Sequence, residues 1–200
     1  MEIAPATVDD ADAVTDLWVA LADEQTAHGS HVLAEQNRGV VRDEVTRGAV
    51  TDRLLVARTD SAARERTGGA NAADAEAAEG ANATGAEAAE GTEGTAGADE
   101  GSTVVGFVMF AMDRGTYEMA VTQGVIQNIY VAPAYRNEGV GSELLAAAER
   151  RLEDTGAETV VLEAMAANLE ARRFYRRHGY DQHRVQLEKH VDGRRDGDRQ

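Results

Sequence analysis

The stretch that most constrains the fold is a strand, a glycine-containing turn and a helix in direct succession. The run Gly124–Val131 is largely apolar and β-branched, which predicts a strand, and the amphipathic pattern Ser142–Leu152 predicts a helix. Between them lies Arg136–Gly141, with the sequence RNEGVG. The first N–H groups of a helix lack internal partners, the helix dipole adds positive charge there, and glycine lets a ligand approach the backbone closely. This unit therefore predicts an anion site, with a nucleotide-like cofactor carrying a pyrophosphate as its ligand.

The rest of the chain predicts a mixed α/β domain in the order β-α-α-β-insertion-β-β-α-β-α-β. Strands are predicted over Met1–Thr7, Arg53–Arg58, Thr103–Met112 with a bulge at Gly106, Thr159–Met165 as a buried central strand, and a last strand with Val185, Leu187 and Val191 on one face. A first helix is predicted after a cap at Asp9 or Asp10, and one of its faces carries Ala11, Val14, Leu17, Trp18 and Leu21. A second helix is predicted over Val32–Gly48, with Val40, Val41 and Val45 buried. A further helix is predicted over Asn168–His178, closed by Gly179 in a left-handed conformation. A polar loop, Asp23–Ser30, is expected between the first two helices.

A long acidic tract interrupts this pattern. Residues 60–102 contain no Val, Ile, Leu, Met or aromatic residue, so the tract cannot bury enough apolar area to offset its ordering entropy. We expect a disordered insertion in a loop between two strands, which is tolerable because loop-closure entropy grows slowly with length. The expected organisation is a single domain over 1–191, interrupted at 60–102, with a polar tail at 192–200.

Charge and composition exclude several classes of protein. The formal net charge of −16 argues against a nucleic-acid binder, and no run of about 18 apolar residues predicts a membrane span. There is no cysteine, the histidines show no metal-binding spacing, and the N-terminus does not resemble a secretory signal, so we expect a metal-free cytoplasmic protein. Lys189 is the only lysine against 19 arginines. This acidic, lysine-poor composition is typical of extreme halophiles, where molar salt screens the self-repulsion. The alternative is an acidic protein from a mesophile with a high-GC genome.

Two motifs narrow the cofactor. A dinucleotide fingerprint needs a third glycine, but Leu144 stands in its place, so that alternative is the weaker one. The segment 128–142, NIYVAPAYRNEGVGS, resembles motif A of the GCN5-related N-acetyltransferases (GNAT), which is [RQ]-x-x-G-x-[GA] after a strand ending in V-x-P. Further along, 168–180, NLEARRFYRRHGY, resembles motif B of the same family, N-x-x-A-x-x-[FL]-Y-x-x-x-G-[FY]. The resemblance covers 103–191.

The resemblance implies a fold and a cofactor. The GNAT fold is an α/β (α+β) architecture with a mixed, mostly antiparallel central sheet of six to seven strands and about four flanking helices. The co-substrate would be acetyl-CoA, with its acyl and pantetheine arm on the exposed strand backbone and its pyrophosphate in the turn. The cofactor-binding residues implied are Ile129, Tyr130, Val131, Arg136, Asn137, Glu138, Gly139, Val140, Gly141, Ser142 and Asn168. Arg136 would either add direct charge or only buttress the turn.

The resemblance also assigns catalytic roles. Asn168 and Tyr175 stand seven residues apart on a helix, about 10 Å along its axis and on one face. Asn168 would cap the helix or bind the pantetheine arm. Tyr175 would donate a proton to the departing thiolate, with a core tyrosine as the alternative. Glu163 would be the base that deprotonates the amine, if burial in its strand raises its pKa. Its alternative is a structural carboxylate paired with an arginine.

The implied activity is direct acetyl transfer to a primary amine, either a small molecule or a protein N-terminus. The alternative is a non-catalytic acyl-CoA-binding regulatory module of the same fold. His28 and His31 lie in the expected acceptor loop, and Arg172, Arg173, Arg176 and Arg177 would meet the CoA 3′-phosphate or form surface ion pairs. No nucleic-acid or membrane partner is expected. The sequence is compatible with a homodimer and does not identify the acceptor.

Overall fold

The computed structural model of the chain describes residues 1–60, 102–113, 115 and 119–189. The predicted insertion and the predicted polar tail therefore lie outside the described residues, apart from the two ends of the insertion. The strands are β1 (Glu2–Pro5), β2 (Leu54–Asp60), β3 (Ser102–Met112), β4 (Gln123–Val131) and β5 (Thr159–Leu162). The α-helices are α1 (Ala11–Thr26), α2 (Ala34–Val50), α3 (Val140–Asp154) and α4 (Leu169–Arg177), with 3₁₀ turns at Val8–Asp10 and Pro133–Tyr135.

The strands form one sheet in the order β1-β2-β3-β4-β5. The first three pairings are antiparallel and the last, β4 with β5, is parallel. The described residues thus form five strands, not the six to seven predicted. The parallel pair follows from the crossover through α3, which returns the chain in the same direction.

Two predictions about the end of the sheet are wrong. The segment 181–189 forms no strand, and its Val185 and Leu187 are 66% and 89% exposed. Its alternating pattern is compatible with a strand, but a strand also needs a neighbour to pair with, and none of the described residues pairs with it. For the same reason β5 is an edge strand in the described sheet rather than a buried central one, and it ends at Leu162 rather than Met165.

The helices cover both faces of the sheet. Helices α1 and α2 pack on one face through a core that includes Val14, Val45 and Phe107, and α3 packs on the other through Leu144 and Leu145. The predicted buried face of α3 is confirmed at Leu144, Leu145, Ala148 and Leu152. On α2, Val41 and Val45 are buried as predicted. Val40 is 64% exposed, because adjacent residues of a helix point in different directions and Val40 therefore lies off the buried face.

Helix α1 continues to Thr26, further than predicted, into the expected loop. It begins at Ala11, and the carboxylate of Asp10 does not cap it. Instead that carboxylate accepts hydrogen bonds from Thr7 and pairs with Arg58 on β2.

No helix among the described residues is long and apolar enough to cross a membrane.

Two irregularities in strand register matter for the site. The pairing of β2 with β3 shifts between Ala57 and Arg58, beside Gly106, where the bulge was predicted. A Cβ on Gly106 would lie 2.8 Å from the Tyr130 carbonyl oxygen, so only glycine fits this approach of β3 to β4. A second shift in the β3–β4 pairing leaves Gln127 as an extra residue on β4.

Candidate active site

Strand β4 continues past the end of its parallel neighbour. Its pairing with β5 ends at Ile126 with Leu162, whereas its pairing with β3 continues to Val131. Among the described residues, no strand therefore pairs with 127–131 of β4 on the β5 side. This divergence opens a gap in the sheet beside the predicted cofactor-binding residues Ile129, Tyr130 and Val131.

The open edge presents backbone hydrogen-bonding groups. The Ala132 N–H donates to the Val105 carbonyl on β3, and successive residues of a strand point their backbone groups to opposite sides. The N–H and C=O groups of Ile129 and Val131 therefore point into the gap. The Val131 carbonyl accepts a hydrogen bond from Arg136 Nε at 2.9 Å. Both groups of Ile129 and the N–H of Val131 remain directed at the gap.

The glycine turn leads from β4 into α3. Asn137 and Gly139 both have positive φ, at 64° and 89°, and Gly139 occupies the N-cap position. The Gly139 carbonyl accepts the first bonds of the helix, from the N–H groups of Ser142 and Glu143. The N–H groups of Val140 and Gly141 precede those bonds and have no acceptor within the helix. These two N–H groups are the ones on which the predicted anion site depends.

The two glycines have different steric roles. A Cβ on Gly139 would meet nothing within 4 Å, so its requirement for glycine comes from the left-handed backbone. A Cβ on Gly141 would point at the Phe174 ring, 3.6 Å away, and at Val131. Gly141 therefore lies against α4, and the open side of the turn is at Gly139.

Arg136 is held in a network with Glu24 and Tyr130. Its Nη2 lies 2.8 Å from both carboxylate oxygens of Glu24 on α1, and its guanidinium lies 5.1 Å from the centre of the Tyr130 ring. The Tyr130 hydroxyl donates to Glu24 at 2.7 Å, and burial, together with that hydrogen bond, raises the pKa of this phenol to about 12. Arg136 therefore buttresses the turn in this structure, and a carboxylate neutralises its charge.

Sequence reasoning missed Glu24. No local pattern singles it out, because it stands in a stretch of α1 that reads as a polar loop. The signal is tertiary: residues 112 positions apart in the chain form the ion pair.

Tyr175 lies on α4 with its ring packed between two others. Its ring centre is 5.3 Å from that of Phe174 and 5.9 Å from that of Tyr180, both in edge-on geometry. Burial raises the pKa of Tyr175 to about 12, so the hydroxyl stays protonated at neutral pH. No described residue forms a hydrogen bond with that hydroxyl. The phenol is therefore a donor available to a ligand.

A narrow cleft brings Tyr175 together with Glu163 at the point where β4 and β5 diverge. Its lining comes from α1, β4, β5 and α4: Leu21, Gln25, Ile126, Gln127, Asn128, Ile129, Leu162, Glu163 and Tyr175. Glu163 is exposed and stands one residue beyond β5, so the burial that the sequence analysis invoked for its role as a base is absent. No described arginine lies within ion-pair distance of Glu163, so the alternative of a structural ion pair has no support either.

Asn168 is the N-cap of α4. Its Oδ1 accepts from the Ala171 N–H at 2.9 Å, which satisfies one of the orphan donors of that helix. The capping alternative is therefore realised here, and only the amide nitrogen of Asn168 remains for a ligand. The remaining turn residues, Asn137 and Glu138, are exposed, and Ser142 is half-buried in the first turn of α3.

The histidines and flanking arginines contribute less to the cleft. His31 is exposed and lies 3.2 Å from Glu188, outside the cleft, and Arg172 donates to the Ala166 carbonyl. A Cβ on Gly29, the residue after His28, would lie 4.0 Å from the Met165 methyl group, so the loop after α1 approaches the end of β5. No group of three or more His, Asp or Glu side chains in the described part of the chain could hold a metal ion.

Comparison with known proteins agrees with the motifs. The family model described as the acetyltransferase (GNAT) family matches residues 62–180, more than half of the chain. An aminoalkylphosphonate N-acetyltransferase of Salmonella typhimurium is 42% identical over 59 residues, which are 30% of this chain and 38% of that protein. The chain therefore matches well under half of the length of that relative.

Solved structures with a similar fold cover nearly the whole chain. A GCN5-related N-acetyltransferase from Ralstonia eutropha JMP134 aligns over 95% of this chain and 97% of its own, with a TM-score of 0.60 and 17% identity. A transcriptional regulator from Bacillus halodurans C-125 aligns over 95% and 99%, with a TM-score of 0.53 and 16% identity. At such low identities these similarities show the fold alone.

Proposed function

Because the chain belongs to the GNAT acetyltransferase family, we propose that it transfers an acetyl group from acetyl-CoA directly to a primary amine. One observation carries this proposal: Ile129 of the open β4 edge and Tyr175 line the same cleft, and Gly141 in the first turn of α3 lies against Val131 at the end of β4. A thioester, a pyrophosphate and a departing thiolate need these three kinds of group. Acetyl-CoA would supply the activated acyl group, and the protein would bind and orient it.

The residues support a sequence of proton movements around a direct attack. The Ile129 N–H at the open edge would donate to the thioester carbonyl, whose oxygen gains negative charge as the amine attacks. The C–N bond forms and the C–S bond breaks, and the Tyr175 hydroxyl would donate its proton to the leaving sulfur. Glu163, directly or through water, would take the proton that the amine nitrogen loses. Such acid and base contributions are each worth on the order of 10²–10⁴-fold in rate.

The turn would hold the pyrophosphate through the N–H groups of Val140 and Gly141. Gly139, Asn137, Glu138 and Ser142 shape that turn, and Glu24 on α1 supports it by holding Arg136. The acceptor would enter from the side of the cleft bordered by α1 and β5. Because the relative from Salmonella acts on aminoalkylphosphonates by its name, small amines with a phosphonate belong in any acceptor panel.

The test is thiol release from acetyl-CoA with a panel of primary amines, combined with Tyr175→Phe. We expect this variant to lower kcat at least tenfold, the low end of the range for a general acid, while acetyl-CoA binding measured by calorimetry stays unchanged. Tyr180→Phe is the matched control, because its hydroxyl donates to Glu149 and does not line the cleft. Equal turnover in Tyr175→Phe and wild type would remove Tyr175 from the chemistry. Acetyl-CoA binding without turnover on any amine would favour the non-catalytic acyl-CoA module.

A further inference from the structure

Asn128 lies in the cleft and has no role in the mechanism described above. The extra residue at Gln127 determines where its side chain points. Without that bulge, Ile126, Asn128 and Tyr130 would share one face of β4 by simple alternation. Instead Ile126 packs in the core beneath α3, whereas Tyr130 packs in the core beneath α1 and α2. Asn128 lies on the Tyr130 side, where it reaches Trp18 on α1.

The contact with Trp18 determines which end of the Asn128 amide is free. An indole N–H can only donate, so it must face the oxygen of the amide. Trp18 Nε1 indeed donates to Asn128 Oδ1 at 3.2 Å. The Nδ2 group, with two N–H donors, is left without a hydrogen-bond partner among the described residues. Asn128 is half-buried and lines the cleft, so these donors are available to a ligand there.

The other lining groups are suited to a ligand with two different ends. Gln25 and Gln127 add neutral amide groups, and Glu163 is the one charged residue among the described residues that line the cleft. No described arginine, lysine or histidine lines it, and the charge of Arg136 in the turn is paired with that of Glu24. An ammonium would be drawn to the Glu163 side, and an oxygen acceptor would bind the free amide donors of Asn128.

We propose that Asn128, oriented by Trp18, binds an anionic oxygen of the acceptor, so that the acceptor is a small zwitterionic amine carrying a carboxylate or a phosphonate near its amino group. This inference rests on the proposed function in assuming that the cleft receives the acceptor. The two oxyanions share the chemistry that Asn128 recognises, and the geometry of the described residues does not separate them. The experiment therefore includes both.

Trp18 provides a readout that does not depend on turnover. It is the only tryptophan in the chain, and its indole N–H donates a hydrogen bond to Asn128. Its fluorescence is titrated, with CoA present at saturation, against three primary amines of matched chain length: an amino carboxylate, an aminoalkylphosphonate and a plain alkylamine. We expect a saturable change with at least one zwitterion, at a Kd at least about tenfold below that of the alkylamine, as for a hydrogen bond to a charged group. The same ratio is expected in kcat/KM by thiol release.

The variant Asn128→Asp keeps the shape and its acceptor for Trp18 but replaces the free donors with a negative charge. We expect the Kd for the zwitterions to rise about a hundredfold, because a lost hydrogen bond and a like charge add, while the Kd for the plain alkylamine does not rise. Asn37→Asp on α2 is the matched control: the same substitution and the same change in net charge, away from the cleft.

Each other outcome has a clear meaning. Equal binding of alkylamine and zwitterions, an unchanged zwitterion Kd in Asn128→Asp, or no saturable change with any zwitterion would overturn the inference. A fall in kcat of equal size for every amine would also overturn it, since Asn128 would then act on the thioester. Zwitterion binding without acetylation would leave the inference standing and contradict the proposed function instead.

Discussion

The pair Gly139 and Gly141 allows a sharp test of how the turn works, because the same substitution should have opposite effects two residues apart. In Gly139→Ala the new Cβ meets nothing within 4 Å, so the penalty is conformational alone. A non-glycine residue in the left-handed region, here at φ 89°, costs about 1–2 kcal/mol. Alanine also restricts the unfolded chain more than glycine does, and this offsets about 0.5–1 kcal/mol of that penalty. The expected net loss in the free energy of unfolding is about 1 kcal/mol.

Gly141→Ala should behave differently. Gly141 lies in the first turn of α3 with ordinary helical geometry, and its Cβ would be 3.6 Å from two Phe174 ring carbons, an ordinary van der Waals contact. Replacing a helical glycine with alanine stabilises by about 0.5–1 kcal/mol. The two variants should therefore differ by about 1.5–2 kcal/mol, or roughly 3–8 °C in Tm for a chain of this size.

The two variants should also differ in acetyl-CoA binding, with Gly139→Ala again the more impaired of the two. Relaxation of the strained backbone at residue 139 would turn the N–H groups of Val140 and Gly141 away from the pyrophosphate, whereas a Cβ at 141 points inward toward α4. We expect the acetyl-CoA KM to rise about tenfold in Gly139→Ala, as for loss of a charge-assisted hydrogen bond, and to change little in Gly141→Ala. Urea unfolding gives the stabilities and thiol release gives the KM values. A Gly141→Ala variant that loses as much stability or affinity as Gly139→Ala would refute this account of the turn.

Three further predictions follow from single contacts. Glu24→Ala should raise the acetyl-CoA KM about three- to fivefold, because Arg136 then loses its ion-pair partner and a half-exposed ion pair is worth about that much. A lower KM would show instead that Arg136 binds the pyrophosphate directly through its charge. The contribution of Tyr175 to the free energy of unfolding should be constant up to about pH 10 and then be lost as pH rises toward 12, because Tyr175 keeps its proton in the folded state and loses it in the unfolded state. This loss amounts to at most about 1.4 kcal/mol per pH unit, and urea unfolding of Tyr175→Phe should show a shallower fall in stability over that range than the wild type. Gly106→Ala should lower the free energy of unfolding by about 1–3 kcal/mol, because the new Cβ would lie 2.8 Å from the Tyr130 carbonyl oxygen. Gly39→Ala on α2 is the control and should be neutral or stabilising, because open space surrounds it. Equal stabilities of the two variants in thermal melts would contradict the close approach of β3 to β4.

Local patterns predicted the elements that carry their own signal. The buried face of α3 is legible because Leu144, Leu145, Ala148 and Leu152 recur at helical spacing on one side. The left-handed Gly179 after α4 is legible because glycine is the residue that takes that conformation without strain. These features depend only on residues close together in the chain, so the sequence is sufficient to predict them.

The errors have a common physical cause, which is that each depends on a neighbour distant in sequence. The alternating residues Val185 and Leu187 indicate a strand, but a strand forms only beside a partner, and 181–189 has none among the described residues. Glu163 reads as part of a buried strand, yet β5 ends one residue earlier and leaves it exposed.

Local sequence is sufficient to predict that a strand, a glycine-containing turn and a helix N-terminus follow one another, and that a phenol stands on a helix downstream. Backbone sterics and helical spacing are local, so these features need no tertiary information. Three features are visible only in the folded chain: β4 and β5 diverge after Ile126, Glu24 holds Arg136, and a bulge at Gln127 turns Asn128 toward Trp18. The register of strands and the contacts between distant helices depend on how the whole core packs, and this packing forms the cleft that Asn128 and Glu163 line.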